Sequence, residues 1–326
     1  MKHLLLFFFF LFLSCTGFPG ETLQICKFKD DKKAALSLTF DDGTRDHLQY
    51  ALPLLERYGF KGTFYIIIRR VPERVKDPSA RTGYLTWDEL RRFLKAGHEI
   101  GNHSLTHRRQ LTRETNMEDV RREINAPIPI FREKLGIDVE TFCYPGASST
   151  REIEALVLEH HLGASRWRFP CGGSSFTLEK WSAFLDRTIA KGNDEAAMIH
   201  SIVPEAKGWM PFASLDQFDS FLREVKRRET DLWVDTYSAV VRYKRLRENS
   251  VLTILSENAD TMQCELRSDV PTRLIRPLTV KYSGSDLLRV EQNGRPVPFR
   301  KSGDGVLFEI RPGAFLLKKL SVPDTK

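Results

Sequence analysis

Residues 34–40 alternate apolar and small positions, with Leu36, Leu38 and Phe40 on one side of a period of two. The segment reads as a strand that runs straight into the tripeptide Asp41-Asp42-Gly43. Residues 62–68 form an almost continuous apolar run, the pattern of a strand buried on both faces. Between such runs the period becomes helical: Leu90, Phe93 and Leu94 share a face, as do Ile153, Leu156, Val157 and His160, and again Phe218, Phe221, Leu222 and Val225. Thr86 with Glu89, Ser149 with Glu152 and Ser214 with Gln217 have capping-box spacing, and Gly97 and Gly163 are expected to end helices. Pro127 and Pro129 should split the helix that precedes Phe131 in two. A strand over 232–236 and a helix over 237–248 close the alternation. This pattern predicts an α/β fold built on a parallel sheet or barrel, with its chemistry at the carboxyl ends of the strands. After Asn249 the pattern turns to short alternating segments (278–282, 287–291, 306–310 and 315–320) with Asn293-Gly294 as a hairpin turn, which predicts a small β domain.

Composition supports one large domain and a small one: 326 residues with 41% hydrophobic and 29% charged positions can bury a sizeable core. The division expected is a signal segment over 1–20, a large domain over 21–249 and a β-rich domain over 250–326. The net charge of +7 is interspersed with acids. Arg121-Arg122-Glu123 and Lys226-Arg227-Arg228-Glu229 read as solvated helix faces, and no nucleic-acid partner is expected. Lys2 and His3 precede an apolar run over 4–13 that is too short to span a bilayer, so the N-terminus reads as a targeting segment. Cleavage before Cys15 would leave a lipid-anchored protein, and cleavage within 14–17 a soluble exported one. The chain is therefore expected outside a bacterial cytoplasm: periplasmic, secreted, or an outer-membrane lipoprotein touching the membrane only through its anchor. Cys26, Cys143, Cys171 and Cys264 lack the spacing of a disulfide framework and read as buried thiols.

Candidate chemistry begins at Asp41-Asp42. Neighbouring side chains diverge at a strand end, so one carboxylate can grip a metal while the other faces water. A solvated turn is the competing reading. A second cluster, Gly101-Asn102-His103-Ser104-Leu105-Thr106-His107, sets two histidines four apart, which share a face on a helical turn. Asp42, His103 and His107 would supply the three protein ligands of a catalytic site for one divalent ion, with zinc the expected metal.

Together the two clusters, Thr39-Phe40-Asp41-Asp42-Gly43 and His103-Ser104-Leu105-Thr106-His107, closely resemble the first two motifs of the polysaccharide deacetylases, carbohydrate esterase family 4. Phe142-Cys143-Tyr144-Pro145-Gly146 and Ala197-Met198-Ile199-His200 resemble later motifs, in the family's order. The resemblance runs over residues 34–248. It implies a distorted, incomplete (β/α) barrel and removal of N- or O-linked acetyl groups from an acetylated glycan. It also implies Asp41 as general base, Asp42, His103 and His107 as metal ligands, and His200 as general acid. The oxyanion would rest on the metal and on the Tyr144 N–H, with Pro145 beside it.

The chain departs from the family in two places. Many members carry an arginine at the position of Cys143, where it orients the base. Here Arg166, and after it Arg187, are expected to approach Asp41 instead. The family's Asp-Trp element has no clear match, and Asp186 beside Arg187 reads as a surface ion pair. Trp209 is a candidate platform for a sugar ring, with a core position as the alternative. Two rival classes remain: a catalytically idle glycan-binding protein on the same fold, and a purely structural surface protein.

Overall fold

The computed structural model describes residues 22–74, 82–108, 111–113, 116–166, 169–258, 260–284, 288–303 and 305–319. The targeting segment lies outside them. The described chain falls into two units, one of residues 32–244 and one that joins the segment before residue 32 to residues 245 onward.

In chain order the strands are β1 (Thr22–Ile25), β2 (Ala34–Phe40), β3 (Gly62–Ile66), β4 (Glu99–Asn102), β5 (Thr141–Cys143), β6 (Gly163–Ser165), β7 (Phe169–Cys171), β8 (Asp194–Ile199) and β9 (Leu232–Val234). The helices are α1 (Leu52–Tyr58), α2 (Trp87–Lys95), α3 (Met117–Asn125), α4 (Pro127–Leu135), α5 (Arg151–Leu158), α6 (Leu178–Lys191), α7 (Leu215–Arg227) and α8 (Tyr237–Glu248). The large unit is a parallel sheet in the order β6-β5-β4-β3-β2-β8-β7. On the other edge from β8, β2 pairs with β9 through Ala34 to Leu36 and with β3 through Leu38 to Phe40. The sheet curls into the incomplete (β/α) barrel expected from the sequence.

All seven residues of β2 are buried. Ala34, Leu36, Leu38 and Phe40 pack into the main core with Phe64, Phe93, Trp181, Phe218 and Phe221. Thr39, on the opposite face, lines a cavity at the strand ends and donates its hydroxyl to the Ala197 carbonyl (3.0 Å). The period of two thus separates a helix-facing side of bulky residues from a barrel-facing side of small ones, both out of water.

Thr86 forms the expected complete capping box with Glu89 at the start of α2. Two local expectations need correction. α5 is capped by Thr150 rather than Ser149, whose hydroxyl instead donates to Glu154 (2.8 Å). Gly163 does not end a helix: α5 stops at Leu158, and Gly163 opens β6. The proline split occurs, with Pro127 starting α4 directly after α3.

The second unit holds two antiparallel sheets. Its further strands are β10 (Ser250–Glu257), β11 (Thr261–Ser268), β12 (Leu278–Ser283), β13 (Leu288–Gln292), β14 (Arg295–Val297), β15 (Phe299–Ser302), β16 (Gly305–Ile310) and β17 (Gly313–Lys319). The sheet orders are β1-β12-β16-β15 and β10-β11-β17-β13-β14. Asn293 and Gly294, both at positive φ, turn β13 into β14 as expected. β1 pairs with β12 rather than with the barrel, so a large-domain boundary at residue 21 places this strand in the wrong unit. The strand is too short and too exposed for its partner to be read from the sequence.

Candidate active site

Each candidate catalytic side chain follows a parallel strand. Asp41 and Asp42 follow β2, His103 follows β4, Cys143 ends β5 with Tyr144 next, and His200 follows β8. The carboxyl ends of these strands meet at one cavity of about 510 Å³, lined among others by Asp41, Asp42, Arg70, His103, His107, Tyr144, Arg166, His200 and Trp209. The backbone is strained where the acids diverge: Asp42 and Gly43 both lie at positive φ (74° and 70°). A Cβ on Gly43 would come 2.8 Å from Ile66 Cδ1 and sit on a left-handed backbone, so glycine suits the turn best.

The His103–His107 pair converges without a helix. Residues 103–108 form an irregular turn in which Ser104 and His107 take positive φ, so the shared helical face expected from the spacing is replaced by a left-handed loop. The loop is bolted down from two sides. Glu123 on α3 accepts from Thr106 N (2.9 Å) and Thr106 Oγ1 (2.7 Å), and its own carbonyl accepts from Leu105 N (2.9 Å). Asn102 donates through Nδ2 to the Ile124 carbonyl (2.8 Å) and to His161 Nε2 (3.1 Å), while its Oδ1 accepts from Ser104 N (2.9 Å). Glu123 is therefore buried and not part of a solvated helix face; Arg121 and Arg122 beside it are exposed as expected.

The ligand set fits a divalent cation. His103 donates its Nδ1–H to the Cys143 carbonyl (2.9 Å), which leaves the Nε2 lone pair aimed at Asp42 Oδ1 (3.8 Å). His107 Nε2 stands 3.6 Å from the same oxygen. That oxygen is buried and has no hydrogen-bond partner, so two nitrogens and one carboxylate surround a shared space without touching. Burial pushes His103 down to about 3, helped by His107, and also lowers His107. Both imidazoles are neutral near pH 7 and need lose no proton to bind metal. Burial works against the Asp42 anion, but the charge that His103, His200 and His107 carry once protonated at low pH, together with Arg70, outweighs it and holds the carboxyl below its ordinary value.

The base and acid candidates face each other, with His200 Nε2 3.8 Å from Asp41 Oδ2. Burial, and then the Asp42 charge, push Asp41 up to about 8, while the Cys143 thiol, donating to Oδ2 at 3.5 Å, acts in the opposite sense. Burial pushes His200 down to about 4. His47 Nε2–H donates to the His200 carbonyl, and Asp46 Oδ2 accepts from Ile202 N (2.6 Å), so the helical turn after the two acids pins the segment carrying His200.

Four sequence expectations stand otherwise. Arg166 pairs with Glu154 and lies 5.5 Å over the Tyr144 ring, and Arg187 is exposed on α6. Among the described residues no arginine or lysine forms an ion pair with Asp41, so the base is supported by a thiol and an imidazole, not by a compensating cation. The Tyr144 N–H is directed at the Ser165 carbonyl (3.4 Å), and Pro145 is buried outside the cavity lining. Asp186 forms a surface pair with Arg228 (2.7 Å), not with Arg187. Trp209 is 55% exposed and meets His200 edge to face at 4.5 Å, which excludes a core position.

Comparisons with known proteins agree with this architecture. The family described as polysaccharide deacetylase matches residues 28–164, a stretch that holds the two acids and both histidines of the loop. A gellan lyase of a Bacillus species is 25% identical over 338 residues, 92% of this chain but 13% of that protein. A bifunctional xylanase/deacetylase of Pseudobutyrivibrio xylanivorans is 30% identical over 110 residues, 34% of this chain and 16% of that one. The chain thus spans a small part of either relative. The crystal structure of a polysaccharide deacetylase homologue from Mycobacterium smegmatis shares the fold at a TM-score of 0.52 and 16% identity, covering 68% of this chain and 93% of that one.

Proposed function

We propose that this protein is a metal-dependent hydrolase that removes acetyl groups from an exported or extracellular glycan. The observation that carries the reading is the shared space between Asp42 Oδ1, His103 Nε2 and His107 Nε2, placed beside a second carboxylate and a third imidazole in one cavity. Asp42, His103 and His107 would hold the ion, with zinc the best match to one carboxylate and two imidazoles. A bound dication supplies Lewis acidity toward an acetyl carbonyl and toward water. Asp41, 3.8 Å from His200, takes a proton as general base in its ionised form, a form that a neighbouring dication favours against burial. His200, neutral at rest, would receive the proton that Asp41 takes from water and pass it to the leaving amine or alkoxide, and Trp209 at the rim offers its face to a pyranose ring.

The test is acetate release from a panel of acetylated chitin, xylan and peptidoglycan fragments by protein stripped with a chelator and then reloaded with zinc. Release restored by the metal supports the proposal. Stoichiometric zinc without release from any member would favour the idle glycan-binding reading, and turnover unaffected by chelation would remove the metal assignment.

A further inference from the structure

Arg70 sits on the short turn after β3, a turn tied to the histidine loop by Ile68 N to the Ser104 carbonyl (3.3 Å) and Arg69 N to the Leu105 carbonyl (2.9 Å). Its guanidinium reaches into the cavity, 5.2 Å over the Tyr84 ring, with its side chain 34% exposed. Among the described residues its one ion-pair partner is Asp42 Oδ1 (3.7 Å), the same oxygen that both candidate histidine ligands face.

That oxygen cannot serve two cations well. The charged side chains lining the cavity are Asp41, Asp42, Arg70 and Arg166, and Arg166 is already neutralised by Glu154. With a dication held by Asp42, His103 and His107, the two aspartates balance the metal and leave the Arg70 charge in excess. Proton transfers between water, Asp41 and His200 move charge within the cavity without changing that excess, and a neutral sugar brings nothing to offset it. A positive group held near a second positive charge in a half-enclosed site is costly unless an anion joins them.

We propose that Arg70 is an anion-reading group of the substrate cleft, and that the glycan acted on carries a carboxylate, as a uronic acid does, on the acetylated sugar or its neighbour. The planar guanidinium matches a carboxylate in a two-point contact. A dication held by Asp42, His103 and His107 would compete with Arg70 for Asp42 Oδ1, which would couple charge recognition to metal loading. This inference rests on the deacetylase reading of the same cavity.

The experiment is calorimetric titration of the zinc-loaded protein with trigalacturonic acid and with its fully methyl-esterified form, which differ in charge and little in ring shape. Wild type should bind the acid about tenfold or more tighter than the ester, the scale of one hydrogen bond between charged groups. Arg70→Ala should lower the acid to the affinity of the ester and leave the ester unchanged, and chelation of the wild type should narrow the difference. Arg70→Gln gives the same comparison if the alanine variant does not fold. Equal binding of acid and ester, or no measurable binding of the acid at millimolar concentration, overturns the proposal. A preference that survives Arg70→Ala also overturns it, because the carboxylate would then sit on the metal. Acetate release from neutral oligosaccharides with no charge preference removes this inference alone; charge preference without acetate release from any acetylated glycan removes the deacetylase reading alone.

Discussion

Asp41 and His200 face each other across 3.8 Å, yet burial pushes their proton affinities in opposite directions, Asp41 up to about 8 and His200 down to about 4. Without metal the proton of this pair rests on Asp41, and under the proposed mechanism a nearby dication would be needed to lower the proton affinity of Asp41 enough for it to act as base. Asp41→Asn should therefore keep zinc stoichiometry by elemental analysis while lowering turnover by about two to four orders of magnitude. His200→Ala should cost much more on an N-acetyl sugar than on an aryl acetate, whose leaving group needs no proton; equal losses on the two would count against His200 as the acid. The Cys143 thiol, 3.5 Å from Asp41, stabilises its anion, so Cys143→Ala should move the acidic limb of the pH–rate profile toward higher pH and Cys143→Ser toward lower pH. An unmoved limb in both variants would mean the thiol has no part in setting the base. The acids and histidines were legible because each lies in a short local pattern at a strand end. Arg70 and His47 were not, since nothing in Ile68-Arg69-Arg70 or Arg45-Asp46-His47 says which neighbour the fold will bring to them.

At the scale of elements, the histidine loop is held by a helix that reads as ordinary surface. Glu123 looks solvated among Arg121 and Arg122, and only tertiary packing turns it inward to accept two bonds from Thr106. Glu123→Ala leaves Thr106 N unsatisfied and releases the loop between the two candidate ligands. Zinc affinity, measured by competition with a chromophoric chelator, should fall about 10- to 100-fold, the usual cost of losing an outer-shell partner. Glu123→Gln keeps one acceptor and should recover part of the loss. If the alanine variant binds zinc as wild type does, the loop is held without Glu123. Strands β2 and β3 and helix α8 were legible to within two residues because their apolar runs are long, whereas the cap of α5 slipped by one residue because Ser149 and Thr150 are equally able caps.

For the whole molecule, two buried histidines away from the candidate metal ligands make stability depend on pH. His98 accepts from Gly62 N through Nδ1 (3.0 Å), and His161 donates from Nδ1 to the Val157 carbonyl (3.0 Å) while its Nε2 accepts from Asn102 (3.1 Å). Each arrangement requires a neutral ring. Burial pushes both down to about 4 from an ordinary value of 6.5. Above pH 6.5 neither folded nor unfolded chain carries these protons, and their contribution is complete. As pH falls from 6.5 toward 4, the unfolded chain takes up protons that the folded chain refuses, so the folded state loses stability, by about 3 kcal/mol for each histidine at about 1.4 kcal/mol per pH unit. Below pH 4 both states are protonated and these groups add no further loss. Urea unfolding of the chelated protein should show this decline, and His161→Gln, which still accepts from Asn102, should flatten about half of it. A decline of undiminished slope in that variant would place the acid sensitivity elsewhere. The same titration loosens Asn102, the residue that anchors Ser104 in the histidine loop, so zinc affinity should begin to weaken over the lower part of this window, before the chain unfolds.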